Sequence, residues 1–364
     1  MSLFRSSIDG LVPYEPGKPV EAVQRELGLE HVVKLASNEG PFPPFPAALA
    51  AMERAALELN RYPDGGAWTL RSELSERNGI AFDELVVGAG ADGIIDLLAQ
   101  ATLDPGDEVV CGWPSFPSYV LTAAKLGAEA RRVPLRDHIY DLEGLLAAIG
   151  PRTKLVYVCH PNNPTGTANG RQELLAFLDR LPEHVLCVLD QAYFEYIEDP
   201  DYADGLELFR EGRRLVVLRT FSKIYGLAGL RVGWAAAPAD VAAATSKVRR
   251  AFDVAATAQA AALASLDDPQ EIARRRQLNA TGRDRLAEIL RGHGLEPAGP
   301  SRGNFLFADV GGGRALFDRL QREGVIIRPL DGFGAPEAIR VTVGTPEENE
   351  RFAVSLGHVL SGVS

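Results

Sequence analysis

The sequence predicts a three-layer α/β protein with a mostly parallel central sheet and a second, smaller α+β domain. Two observations carry that expectation. The first is a set of short apolar runs: Leu85-Val86-Val87, Glu108-Val109-Val110-Cys111, Lys154-Leu155-Val156-Tyr157-Val158-Cys159, Val185-Leu186-Cys187-Val188-Leu189, Leu215-Val216-Val217-Leu218 and Val232-Gly233-Trp234-Ala235-Ala236. Consecutive rather than alternating apolar residues mark strands covered on both faces by helices. The second is a change of texture after about residue 255, where an Ala- and Arg-rich helical stretch runs to Leu290 and is followed by strand-like segments at 304–308, 325–328 and 338–343. The expected division is a large domain over 38–255 and a smaller unit made of an N-terminal arm, 1–37, with 256–364.

Taken in order, the N-terminal segment is rich in proline, with Pro13, Pro16, Pro19, Pro41, Pro43, Pro44 and Pro46. It is expected to wrap over the rest of the molecule rather than form its own core. The run at 85–87 opens into Gly88-Ala89-Gly90-Ala91-Asp92-Gly93, which matches the G-x-G-x-x-G dinucleotide fingerprint, with Asp107 and Glu108 further on. The physical content of that match is narrower than a nicotinamide site. Glycines admit an anion to the backbone, and free N–H groups at a helix start bind phosphate of any origin. The run also lies well inside the chain rather than on an opening strand, which argues against NAD. Gly311-Gly312-Gly313 and Asp331-Gly332-Phe333-Gly334 read as ordinary turns.

Length, charge and cysteine content narrow the function classes. A chain of 364 residues with 46% hydrophobic and 24% charged residues can bury a cofactor between domains. Its net charge of −11, from 38 basic and 49 acidic residues, opposes binding to nucleic acid or an anionic membrane. Cys111, Cys159 and Cys187 lie in apolar runs without metal-ligand spacing and are expected to be reduced core thiols, with no metal site. No signal-peptide core and no membrane-length apolar run appear, so the expected location is the cytoplasm.

The chemistry concentrates where the apolar runs end, which is where open α/β sheets bind ligands. Lys223, in Arg219-Thr220-Phe221-Ser222-Lys223, follows the run at 215–218, with a hydroxyl beside it and Arg231 eight residues on. A lysine so placed suits a Schiff base to a phosphorylated aldehyde, pyridoxal phosphate. Asp190 ends the run at 185–189 and could pair with a protonated pyridine nitrogen, or serve only as a helix cap. Tyr193 and Asn163, in His160-Pro161-Asn162-Asn163-Pro164-Thr165-Gly166, could both donate to the ring's phenolic oxygen. The phosphate would fall to the N–H groups of Ala91 and Asp92, the hydroxyls of Ser222 and Thr220, and Arg231. Phe116, in Trp113-Pro114-Ser115-Phe116-Pro117-Ser118-Tyr119, could stack on the pyridine or be core.

Asn163-Pro164-Thr165-Gly166, Asp190-x-x-Tyr193, Ser222-Lys223 and Arg231, in that order, resemble the fold-type I pyridoxal-phosphate-dependent aminotransferases of classes I and II. Within that group the segment from Leu218 to Arg231, Arg61-Tyr62-Pro63 and Ile339-Arg340-Val341-Thr342-Val343-Gly344-Thr345 are similar to the histidinol-phosphate aminotransferases. The resemblance runs from about Tyr14 to the C-terminus. It implies the PLP-dependent transferase fold and a homodimer in which Tyr62 reaches the neighbouring subunit's cofactor phosphate. It further implies substrate-binding roles for Tyr14, Arg328 and Arg340, the arginines gripping an anion with their planar forks.

The implied reaction is transamination in histidine biosynthesis, with Lys223 as general base and 2-oxoglutarate as amino acceptor. Aromatic amino acids are the alternative donors, and phosphothreonine decarboxylation is a third reading that shares the cofactor residues. Two departures from the family pattern stand out. Gln191 replaces the usual glutamate after Asp190, and Ala251-Phe252-Asp253 replaces an expected Pro-Phe-Asn. Both leave the substrate open at this stage.

Overall fold

The structure, a computed structural model, describes residues 3–11 and 17–362. Its strands are β1 (Val33–Lys34), β2 (Leu85–Gly88), β3 (Glu108–Trp113), β4 (Glu129–Pro134), β5 (Thr153–Cys159), β6 (Leu186–Asp190), β7 (Leu215–Thr220), β8 (Gly233–Ala236), β9 (Phe305–Asp309), β10 (Val325–Ile326), β11 (Arg328–Pro329) and β12 (Ala338–Thr342). A seven-stranded sheet runs in the order β2-β8-β7-β6-β5-β3-β4, and within it β8 alone runs antiparallel to its neighbours. The mostly parallel α/β architecture expected from the apolar runs is therefore present. Strands β2, β6, β7 and β8 are buried along their whole length, as their apolar composition requires.

One strand of this sheet was not expected from the sequence. Strand β4, Glu-Ala-Arg-Arg-Val-Pro, is mostly exposed and lies at the sheet's edge beside β3. Its charges and terminal proline suit an edge, where they discourage pairing with another chain, and the same features hide it from a search for apolar runs. The stretch at 325–328 is another departure, since it splits. Val325 and Ile326 pair with β1, whereas Arg328 and Pro329 pair with β12 in a second sheet ordered β11-β12-β9.

Two main apolar clusters follow from this layout, with a third, small one around Phe307, Leu330 and Phe333. The larger surrounds the seven-stranded sheet and includes Ala258, Ala261 and Ala262 of the helix Ala256–Ser265. The smaller gathers Leu306, Ile339, Val341 and Phe352 with Val23, Leu35 and Ala36 from the N-terminal arm. The arm thus contributes core residues, which its proline content did not suggest. Between the clusters runs the 24-residue helix Pro269–Gly292, capped by the Asp268 carboxylate accepting from the Glu271 N–H, with proline in its first turn. Its Ile272 packs on the larger cluster and its Leu286, Ile289 and Leu290 belong to the smaller.

Candidate active site

The carboxyl ends of the parallel strands come together on one edge of the large sheet. Register aligns Cys159 of β5 with Asp190 of β6, and Thr220 of β7 with Gly233 of β8, which in turn pairs with Gly88 of β2. A cavity of about 310 Å³ opens there. Its lining includes Ala91, Asp92, Phe116, Asn163, Asp190, Tyr193, Thr220, Ser222, Lys223 and Arg231, ten of the positions singled out from sequence.

Lys223 is half-buried, and its Nζ lies 3.5 Å from the Ser37 carbonyl and 5.6 Å from the centre of the Tyr193 ring. Burial, with Arg340 and Arg231 adding repulsion against the pull of Glu39 and Asp190, holds its ammonium down at about 8. Asp190 is buried. Its Oδ2 accepts from the Tyr119 hydroxyl at 2.7 Å and its Oδ1 from the Ala192 N–H at 3.1 Å. Burial raises its carboxyl above the ordinary value, and the Tyr119 hydrogen bond offsets part of that rise.

Asn163 receives the Arg340 guanidinium on its Oδ1. That bond orients the amide, leaving Nδ2 as the donor available to a ligand. Tyr193 accepts at its hydroxyl from Asn38 Nδ2 at 2.8 Å and meets Phe305 edge-on at 5.1 Å. Its own proton therefore remains available to donate, and burial raises the phenol above its usual value, keeping it protonated.

The predicted phosphate cradle is built at close quarters. The 13-residue helix Gly90–Thr102 starts at the cavity wall, where its first-turn N–H groups have no intrahelical acceptor. A Cβ at Gly90, whose φ is +77°, would stand 2.7 Å from Arg231 Nη2, and one at Gly233 would stand 2.6 Å from the Ala91 nitrogen. Glycine is thus required for the helix start, β8 and the guanidinium to converge. Arg231 Nη1 lies 3.5 Å from Ser222 Oγ, and Thr220 Oγ1 accepts from the Ser222 N–H at 3.1 Å.

The remaining assigned residues that the structure describes are outside the cavity lining, though Arg340 reaches it through Asn163. Arg340 is buried, donating to the Ala36 carbonyl at 2.6 Å as well as to Asn163. Arg328 faces it across the β11–β12 register, and both guanidinium groups approach the Phe333 ring, at 5.4 and 5.3 Å from its centre. Arg328 itself lines a neighbouring cavity of about 460 Å³ with Lys18, Trp113 and Arg132. Tyr62 is outside the Lys223 cavity, 81% exposed, and stacked on Phe252 at 4.6 Å. Tyr14 lies outside the described residues.

Sequence reasoning missed several contributors. Tyr119 was read only as part of an aromatic segment, yet its hydroxyl holds Asp190. Asn38, in the left-handed region at φ 53°, joins the arm to Tyr193 and to Thr342. Ser37, Glu39 and Cys159 also line the cavity. The signal for Asn38 was a polar Ser-Asn-Glu triplet after an apolar pair, but only the folded arm brings it to β6. Gln191, the departure from the family pattern, faces away from the cavity. Its Nε2 donates to the Tyr202 hydroxyl and Ala203 carbonyl, and its Oε1 accepts from Gly205 N–H. It is buried, paired within the chain and outside the cavity lining.

The sequence matches the family described as aminotransferase class I and II over residues 30–356. The chain belongs to that family. Among curated relatives, the histidinol-phosphate aminotransferase of Moorella thermoacetica is 43% identical over 98% of this chain and 93% of its own length. That of Akkermansia muciniphila is 46% identical over 96% of both. The crystal structure of histidinol-phosphate aminotransferase from Sinorhizobium meliloti in complex with pyridoxal-5'-phosphate superposes with a TM-score of 0.90 at 31% identity, covering 100% of this chain and 99% of that one. Thermus thermophilus aspartate aminotransferase with maleate gives 0.85 at 25% identity, covering 99% and 100%.

The residues present in this aminotransferase fit a phosphorylated aldehyde on a pyridine ring. A half-buried amine of lowered basicity, a buried carboxyl whose pKa burial raises, an amide and a phenol able to donate, and the helix start, hydroxyls and guanidinium expected to take a phosphate all face one cavity.

Proposed function

We propose that this chain is a pyridoxal-phosphate-dependent histidinol-phosphate aminotransferase that passes the amino group to 2-oxoglutarate. The observation that carries the reading is the convergence of Lys223, Asp190, Asn163 and Tyr193 on one cavity, in a chain whose near-full-length relatives bear the histidinol-phosphate aminotransferase name. When bound, the cofactor supplies a carbon that condenses with amines and a ring that takes up the electron pair of a substrate carbanion.

The protein's own groups do the rest. Lys223 Nζ, with its ammonium held at about 8, is part neutral near that pH and can attack a carbonyl carbon or take a proton from a substrate α-carbon. The Asp190 carboxylate would hold a proton on a ring nitrogen, and such a cation would restore the ionisation that burial opposes. Asn163 Nδ2 and the Tyr193 hydroxyl would donate to a ring phenolate. The Ala91 and Asp92 N–H groups, Ser222, Thr220 and Arg231 would bind the cofactor phosphate, and Phe116 would cover the ring.

Arg328 and Arg340 would grip the anionic end of the substrate, with Tyr14 beside them by resemblance. Neither arginine distinguishes a phosphate from a carboxylate by charge alone, so aromatic amino acids are the competing donors. We also propose a homodimer in which Tyr62 crosses to the neighbouring site. Its exposure beside Phe252 supports this, since it leaves the ring open to a second chain.

Steady-state kinetics with histidinol phosphate, phenylalanine and tyrosine, each with 2-oxoglutarate, test the substrate. The expected result is the highest kcat/KM for histidinol phosphate. A more than tenfold preference for phenylalanine would overturn it, and gas release without nitrogen transfer would overturn transamination itself.

A further inference from the structure

Lys223 sits in an irregular loop between β7 and the short turn Ala228–Leu230, so something other than a strand or helix must hold its backbone. The loop's own hydrogen bonds are few, from Gly226 N–H to the Lys223 carbonyl at 3.0 Å and from Leu227 N–H to the Phe221 carbonyl at 3.1 Å. The next carbonyl, that of Ile224, receives Arg275 Nη1 at 3.0 Å. The same guanidinium donates from Nη2 to the Pro43 carbonyl at 2.7 Å and from Nε to Glu271 at 2.7 Å, and it lies 4.4 Å from the centre of the Phe45 ring.

Arg275 is 4% exposed and belongs to the helix Pro269–Gly292 that joins the two main apolar clusters. A Cβ at Gly226, in the left-handed region, would approach its Nη1 and the Phe42 and Pro43 carbonyls to 3.1 Å each. The loop is therefore shaped around the guanidinium. Arg276, one residue on, donates to the Glu195 carbonyl at 2.6 Å in the segment that follows Tyr193. Successive arginines thus hold the chain just beyond both cavity residues. Beside them the contact is open, because a cavity of about 290 Å³ lies among Phe42, Tyr196, Ile224, Leu278, Gly282 and Val343. Packing holds the loop as well, since Phe221, Ile224, Tyr225 and Leu227 are buried in the larger cluster, and the Arg275 hydrogen bonds tie that packed loop to the helix.

We propose that Arg275 is a positioning residue for Lys223, fixing the amine through the Ile224 carbonyl from the helix that bridges the two cores. The inference rests on the pyridoxal-phosphate reading above. The charged groups acting on the amine are Arg340, Glu39, Arg231 and Asp190, so displacing Nζ among them alters the pH at which the bound cofactor's visible absorption changes.

The test compares wild type, Arg275→Lys, Arg275→Gln and a control, Phe177→Leu, which loosens the larger core on an outer helix. Borohydride trapping on the wild-type holoenzyme comes first, then the pH titration of visible absorption and steady-state kinetics on each protein. The expected result for Arg275→Gln is a kcat at least tenfold lower, a donor KM changed less than threefold, and an absorption midpoint moved by half a pH unit or more. Arg275→Lys, keeping the charge and one donor, falls between, while Phe177→Leu lowers thermal stability without moving the midpoint. If Arg275→Gln does not fold, the Arg275→Lys midpoint decides. A labelled Lys223 in wild type with unmoved midpoints in the variants overturns this inference alone, and an unlabelled wild type overturns it together with the cofactor reading.

Discussion

The Lys223 cavity and the Tyr62 surface use aromatic and polar groups in opposite ways. At the cavity, Tyr193 and Asn163 in its wall and Tyr119 behind Asp190 are buried, and each has a directed hydrogen bond to another chain segment. At the surface, Tyr62 is 81% and Trp68 62% exposed, and Phe252 offers Tyr62 a ring and no acceptor. A single chain therefore assembles this cavity, while the aromatic stack lacks the enclosure that would give it a fixed partner. Buried polar groups are held because leaving them unpaired costs about 1–3 kcal/mol each, a penalty that exposed rings escape.

The largest expected effect breaks the cavity itself. Lys223→Ala should lower kcat by about 10⁴-fold or more and remove the borohydride-trapped pyridoxyl group, while circular dichroism stays native. Retained turnover would place the reactive amine elsewhere. Asp190→Asn should lower kcat by roughly 10²–10³-fold, within the range of positioned proton-holding groups, with cofactor still bound. Near-normal turnover would contradict its role at the ring nitrogen.

The surface should respond more weakly and through affinity. Tyr62→Ala is expected to weaken cofactor binding by about 10- to 100-fold, the worth of one hydrogen bond to a charged group, measured by titration of the apoenzyme. A sedimentation measurement showing a fully active monomer would remove the reason for the effect.

The smallest effect concerns stability behind the cavity. Glu195 is pushed up to about 7 by burial, with Arg219 and Arg276 pulling the other way, and its Oε2 has no hydrogen-bond partner among the described residues. Its folded value lies above the unfolded carboxyl value, so the folded state binds more protons between about pH 4.5 and 7 and stability falls as pH rises through that window. Glu195→Gln should flatten that fall and gain up to about 2–3 kcal/mol at pH 8 relative to wild type, read by urea unfolding at several pH values. An unchanged pH slope would mean that the carboxyl is already ionised in the fold.

Much of the site was legible because strand ends carry it. Asp190, Lys223 and Asn163 each follow an apolar run, and a sheet buried on both faces aligns such ends on one edge. Strand β4 escaped notice because an edge tolerates charge, and Tyr119 because its hydroxyl meets Asp190 across 71 residues of chain. The departure at Gln191 was visible, but its effect was not. Its side chain turns to Tyr202, Ala203 and Gly205, so it leaves the cavity untouched.

By itself the sequence determined the layered α/β class, the lysine and carboxylate at strand ends and the glycine-rich start of the helix Gly90–Thr102, because each depends on local composition and backbone freedom. Only the tertiary structure decided that Asn38 bonds Tyr193, that Arg340 orients Asn163 and that Arg275 clasps the chain after Lys223. Those contacts join residues far apart along the chain, and no local pattern encodes which distant donor will meet a given carbonyl or hydroxyl once the two cores pack.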